Sequence, residues 1–202
     1  MKKLLFAAAA VFCTATAAHA SIIPTLMSVT AEGDLFRYTY QGTLVGDQGV
    51  KAGSKLVIFD FAGFAGGLTA PAGAITATTE LTSGALSLLS PDFADDPNVL
   101  NLAFTYTGPP FQTTGGPYDD TQFTLSALST YDNTANDGFA AIAVKNNDGS
   151  ATGTTTINAG AVRVPIAAAV PEPATWGLMI LGFGGVGAMM RTRRRHGDKA
   201  FA

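Results

Sequence analysis

The chain has 202 residues and a formal charge of −3, a balance that hides an uneven distribution. Its only cysteine, Cys13, and both histidines, His19 and His196, lie near the two ends. The long stretch between them therefore excludes a disulfide framework, thiol chemistry, imidazole-based zinc or copper sites and Ser-His-Asp catalysis.

Residues 1–20 predict a secretory signal peptide. Lys2 and Lys3 supply its positive end, and Leu4 to Phe12 its apolar segment. Ala18-His19-Ala20 forms an A-x-A cleavage site that leaves Ser21 as the first mature residue. The apolar segment is too short to persist as a membrane span. Acylation at Cys13 is the alternative, but Phe12 stands where a lipoprotein signal wants a small side chain. The Sec translocon and signal peptidase are the partners this end implies.

Residues 21–166 are enough for one domain with its own core. Between Ser21 and Val170, five basic residues face thirteen acidic ones, a formal charge of −8. Phosphate repels such a body, so nucleic acid is not an expected partner. A solvated acidic surface that keeps an exported protein soluble is the plain reading.

The body reads as all-β. Thr25 to Ala31 and Leu35 to Leu44 alternate in part, the second run with Phe36, Tyr38 and Tyr40 on one face. Lys55 to Phe61 (KLVIFDF) is a continuous apolar segment, as a central strand would be. Ala74 to Leu81 and Val99 to Tyr106 continue the pattern, and Thr121 to Tyr131 is expected to bury Phe123, Leu125, Ala127 and Leu128. Phe139 to Val144, Thr154 to Ile157 and Ala161 to Ile166 bring the set to about nine short strands. Their spacing predicts an antiparallel β-sandwich, jelly-roll-like or immunoglobulin-like. Ser83 to Ser90 reads either as a short helix or as the lip of a loop. Asp137-Gly138 and Asp148-Gly149 predict tight turns that fold the last strands into a meander.

Candidate sites lie in the loops. Calcium, a hard cation that takes carboxylate oxygens, suits two acidic clusters: Asp92, Asp95 and Asp96, and Asp119 with Asp120. No other cofactor is expected. Asp132 to Gly138 fails as an EF-hand loop, because Asp137 stands where Gly is required and Ala143 where Glu is required. The loop from Gly108 to Asp120 presents Phe111, Tyr118, Asp119 and Asp120, a set that suits a lectin-like carbohydrate site and hence an exopolysaccharide partner. Buried loop anchors account for the same aromatics equally well. A carboxylate-based polysaccharide hydrolase needs only two carboxylates, but no cleft signature appears. G-x-S-x-G and the phosphate-binding loop are both missing. The expectation is a non-enzymatic protein with a structural or adhesive role.

Residues 167–173 form a linker that ends in Pro171-Glu172-Pro173. The segment 174–190 that follows is seventeen residues without a charge. As a helix it measures about 25 Å, the short end of what crosses a bilayer, and one C-terminal transmembrane helix is expected. Arg191, Arg193, Arg194 and Arg195 form a basic stop, and the positive-inside rule keeps the tail 191–202 cytoplasmic with the body outside. Trp176 takes an interfacial position, and Gly184 with Ala188 gives a small-xxx-small face for a partner helix. A plain membrane anchor has the same parts. Gly182, Gly184 and Gly187 satisfy G-x-G-x-x-G, but arginines and the chain end follow in place of a βαβ unit, so no dinucleotide is implied.

Taken together, Pro171-Glu172-Pro173, Trp176, the glycine-rich span and the arginine cluster resemble the PEP-CTERM sorting signal, in its Pro-Glu-Pro-x-x-Trp-Ala form with Gly177 in place of the alanine. The resemblance covers about residues 170–195. It implies that the tail is held in the inner membrane and recognised by an exosortase, a membrane protease or transpeptidase. It further implies a cut near Pro-Glu-Pro and delivery to the cell envelope or the extracellular polymeric matrix. It implies nothing for residues 21–165, because such tails are attached to unrelated bodies.

Overall fold

Among the described residues, the alternating and continuous apolar runs become ten strands: β1 (Ile22–Glu32), β2 (Leu35–Leu44), β3 (Gln48–Val50), β4 (Lys55–Ile58), β5 (Ile75–Glu80), β6 (Asn101–Tyr106), β7 (Phe111–Gln112), β8 (Thr121–Ser129), β9 (Thr134–Lys145) and β10 (Thr155–Pro165). The computed structural model describes residues 22–46, 48–84, 86, 94–112, 120–145, 153–167 and 173–197. The chain divides into two units, residues 1–167 and 168–202.

In the first unit the strands form two antiparallel sheets in a sandwich-like arrangement. The smaller has three strands in the order β1-β2-β8. The larger has seven, in the order β5-β6-β4-β9-β3-β7, with β10 also on β9. β9 is its spine: Ala140 pairs with Val57 of β4 and with Ala159 of β10, while Val144 pairs with Gly49 of β3 and with Thr155 of β10. β3 and β4 therefore share one edge of β9, separated only by the turn from Lys51 to Ser54.

Alternation places Tyr38, Tyr40, Leu44, Leu125 and Ala127 of the small sheet in one buried cluster with Leu56, Ile58, Leu102, Phe104 and Phe139 of the large one. The intervening residues Val57, Ala103 and Ala140 join Phe59 and Leu86 in a second cluster. The large sheet is thus buried on both faces at its centre, which explains why KLVIFDF shows no alternation. Two tyrosines tie the elements together. The Tyr38 hydroxyl bonds to the carbonyls of Tyr131 and Asn133, at 3.1 and 3.2 Å. The Tyr40 hydroxyl donates to the Arg163 carbonyl at 2.9 Å. Burial pushes the Tyr38 phenol up to about 12 and raises Tyr40 further, because a phenolate there would lose its hydration.

Several expectations are corrected. Asp137-Gly138 is not a turn but lies within β9, paired with Val162 and Ala161; the Gly138 carbonyl also accepts the Phe59 N–H at 3.0 Å. Thr154 to Ile157 and Ala161 to Ile166 are one strand, β10, whose middle residues pair with Phe139, Ala140 and Ala141. There the Phe139 ring lies against Gly160, where a Cβ would come within 2.9 Å of it. Leu128 is half-buried and faces away from Ala127, as adjacent strand residues must. It covers Gly67, whose φ of 61° suits a residue without Cβ. Asp148-Gly149 and most of Ser83–Ser90 fall outside the described residues.

The second unit carries the helix α1 (Pro173–Gly197), 25 residues long. It opens on a proline, at a helical position whose N–H would have no partner within the helix. It continues through the arginines, beyond the expected boundary at Met190. Among the described residues, no helix is long and apolar enough to cross a membrane. Gly177, Gly182, Gly184, Gly185 and Gly187 dilute its apolar side chains, and arginines charge its last turns. The expected spanning segment is present as a helix without being shown as a span.

Candidate functional site

One end of the body gathers carboxylates around a buried amide. β6 opens on Asn101, which is fully buried ahead of the apolar run Leu102-Ala103-Phe104. Its Oδ1 accepts the Asp60 N–H at 2.7 Å. Its Nδ2 donates to Asp95 Oδ1 at 2.9 Å and reaches Ser83 Oγ at 3.4 Å. Ser83 Oγ donates to Glu80, and Glu80 is ion-paired with Lys55 at 2.7 Å. A chain of polar contacts therefore runs from Lys55 to Asp95.

Asp60 follows β4 with a φ of 51°, a left-handed conformation that Asp tolerates better than most residues. Both of its carboxylate oxygens accept the Asp96 N–H, at 3.0 and 3.2 Å. Asp96 in turn accepts the N–H and the Nδ2 of Asn98, both at 2.9 Å. Those bonds favour the charged form and hold the Asp96 carboxyl below its ordinary value. Asp60 moves the other way: burial first, then the Asp137 charge, push it up to about 6. Burial likewise raises Asp137, against the Gly138 N–H bond that lowers it and with a smaller push from Asp95.

Asp95 and Asp96 are thus engaged in fastening a loop. Asp120 does the same elsewhere, its Oδ1 accepting the Gly46 N–H at 3.0 Å. Asp120 precedes β8, whereas the Ala62 carbonyl accepts Ser129 Oγ at the far end of that strand. The two acidic sites therefore stand about a strand's length apart, roughly 30 Å for nine residues. Among the described residues, no group of three or more His, Cys, Asp or Glu is placed to hold a metal ion. Asp92, Asp119, Tyr118, Ala18, Ala20, Ser21, Pro171 and Glu172 lie outside the described residues. Phe111 belongs to β7 and lines an apolar cavity. Sequence reasoning missed Asn101 and Ser83 as organisers, and the signal was the single amide in VLNLAFTY.

In the tail, Trp176 and Arg191 are exposed, and Arg193, Arg194 and Arg195 occupy the last turns of α1. Leu178, Ile180, Leu181, Phe183 and Met189 are exposed as well. The order is a proline-bounded start, an exposed apolar and glycine-rich helix, and an arginine end. The family model of the PEP-CTERM protein-sorting motif matches residues 169–195. No curated protein and no solved structure matches the chain. The PEP-CTERM motif implies export and handling by exosortase-type machinery. It covers only this segment of the chain.

Proposed function

We propose that this chain is an exported, non-enzymatic structural or adhesive protein, sorted to the cell envelope or extracellular polymeric matrix by its C-terminal PEP-CTERM signal. The match at residues 169–195 carries this reading. In it, the signal peptide directs the chain to the Sec translocon and is removed before Ser21. The apolar helix then holds the precursor in the inner membrane with its arginines inside and the body outside. An exosortase-type enzyme cuts near Pro171-Glu172-Pro173. The body supports a passive role: its buried polar side chains, Tyr38, Tyr40 and Asn101 among them, have partners within the fold. It also lacks His and Cys altogether.

Replacing Pro171, Glu172 and Pro173 with alanine tests the sorting step. The expected outcome is an uncut precursor retained in the membrane fraction. A variant trimmed and released like wild type would overturn the reading in favour of a plain anchor. Intact mass of the released protein is expected to begin at Ser21 and to end near the Pro-Glu-Pro segment.

A further inference from the structure

A cavity of about 230 Å³ lies between the two sheets at the end where Leu44 pairs with Thr121, away from the Asp60 network. Leu44, Leu56 and Phe104 form its floor, each no more than 3% exposed. Phe111, 41% exposed, and the exposed Pro71 mark its mouth. Among the described residues, no charged side chain lines it. Two of its few polar groups are already engaged: Ser54 Oγ accepts the Lys51 N–H at 3.1 Å, and the Tyr106 hydroxyl donates to the Pro109 carbonyl at 2.7 Å. The space exists because small side chains, Ser54 and Ala74, stand among large ones. Its walls come from both sheets, so closing it would require the sheets to shift against each other.

We propose that this cavity is a binding site for an uncharged hydrocarbon group, a ring or short alkyl chain at the non-polar end of a larger amphiphile. The chemistry of the wall selects that class. A ligand that brought hydrogen-bonding groups to the floor would leave them unpaired, at a cost in affinity. A dry apolar cavity accepts hydrocarbon instead, and about 150 Å³ already suffices for benzene. The volume falls short of the roughly 300–1,000 Å³ that encloses a whole drug-sized ligand. The polar remainder of the amphiphile therefore stays outside, beyond Phe111 and Pro71. This function is separate from sorting and does not rest on it.

Thermal unfolding of the full chain, with benzene and with heptane as probes, tests the site. At ten times the dissociation constant the midpoint is expected to rise by roughly 3–6 °C. Ala74→Phe fills the cavity from its half-buried rim and is expected to abolish the rise. Thr121→Phe makes the same comparison from β8 if the first variant does not fold. A rise with one probe alone supports the site and tells ring from chain. No rise with either probe overturns the proposal. So does an equal rise in a folded filled variant, which would place binding on another surface, such as the exposed helix α1. A midpoint that climbs with protein concentration and not with hydrocarbon reports self-association in place of hydrocarbon binding, and overturns the proposal too.

Discussion

The body and the tail treat the same residue types in opposite ways. In the body, Phe59, Phe61, Leu102 and Ile58 are wholly buried, by neighbours that lie far away in sequence. In the tail, Leu178, Ile180, Leu181 and Phe183 are between 69% and 73% exposed. An apolar surface of that kind on a soluble protein marks contact with a partner or a lipid phase. The difference teaches where information sits. What the tail does is written in contiguous residues, whereas the body depends on residues the fold brings together.

The sharpest way to break this contrast is one kind of truncation made in both places. Phe61 meets the ring of Tyr38 edge-on at 5.4 Å and that of Phe64 at 6.3 Å. Phe61→Ala is expected to destabilise the body by about 3–5 kcal/mol, from lost burial and the cavity left behind. Leu181→Ala, on the exposed helix, should change body stability by less than about 0.5 kcal/mol. Urea unfolding of both variants checks the pair. Comparable losses would mean that the helix contributes to the body's core.

The same contrast explains what was legible in the sequence. Leu35 to Leu44 was readable to the residue, because an alternating strand with one wet face carries its own period. The sorting segment was readable because proline, tryptophan and arginine act at fixed local spacing. Asp137-Gly138 was misread because Asp-Gly favours a turn locally, while pairing with β10 and the Phe59 N–H bond to the Gly138 carbonyl hold that stretch extended. Tertiary pairing outweighed turn chemistry there. The Asp60–Asn101–Asp95 network was invisible for a similar reason: its members are 41 and 6 positions apart. No spacing rule joins them. The cavity depends on the packing of two sheets and leaves no sequence signature at all.

Asn101→Ala extends the comparison to polar groups. It leaves the Asp60 N–H and the Asp95 carboxylate without the amide that pairs them. The expected loss is about 2–3 kcal/mol, since unsatisfied buried groups cost more than the bond itself returned. Equilibrium unfolding measures it, and a loss below about 0.5 kcal/mol would show that water replaces the amide freely.

A smaller effect follows from Asp60. Its carboxyl titrates near 6 in the folded chain, above the ordinary value, so the folded state holds the proton more tightly than the unfolded one. That contribution is fully present below the unfolded value and is lost as pH rises through about 6. Asp137 is raised as well and acts in the same direction, while Asp95 and Asp96 add their charges to the rise at Asp60. Because Asp60 is partly open to solvent, screening reduces the gain between pH 7 and pH 5 to about 1 kcal/mol. Asp60→Asn keeps a residue that tolerates the left-handed backbone and should flatten this part of the profile. A wild-type stability that falls on acidification from pH 7 to pH 5 would contradict the assignment.

The smallest effect belongs to a partly exposed ion pair on the large sheet. Lys55 and Glu80 are 23% and 27% exposed, and their ion pair bridges β4 and β5, which lie on either side of β6. Partial exposure sets its worth at about 0.5–1 kcal/mol, and added salt should erode it. Lys55→Met retains most of the apolar stem while removing the charge, so packing is largely conserved. Its cost should shrink between 0.05 and 0.5 M salt, in the order of the Debye screening. The Phe61→Ala loss should not respond in that way, because burial of an apolar ring carries no charge to screen. If both losses proved equally salt-sensitive, the division of the body into a buried, salt-insensitive core and a screened rim would fail.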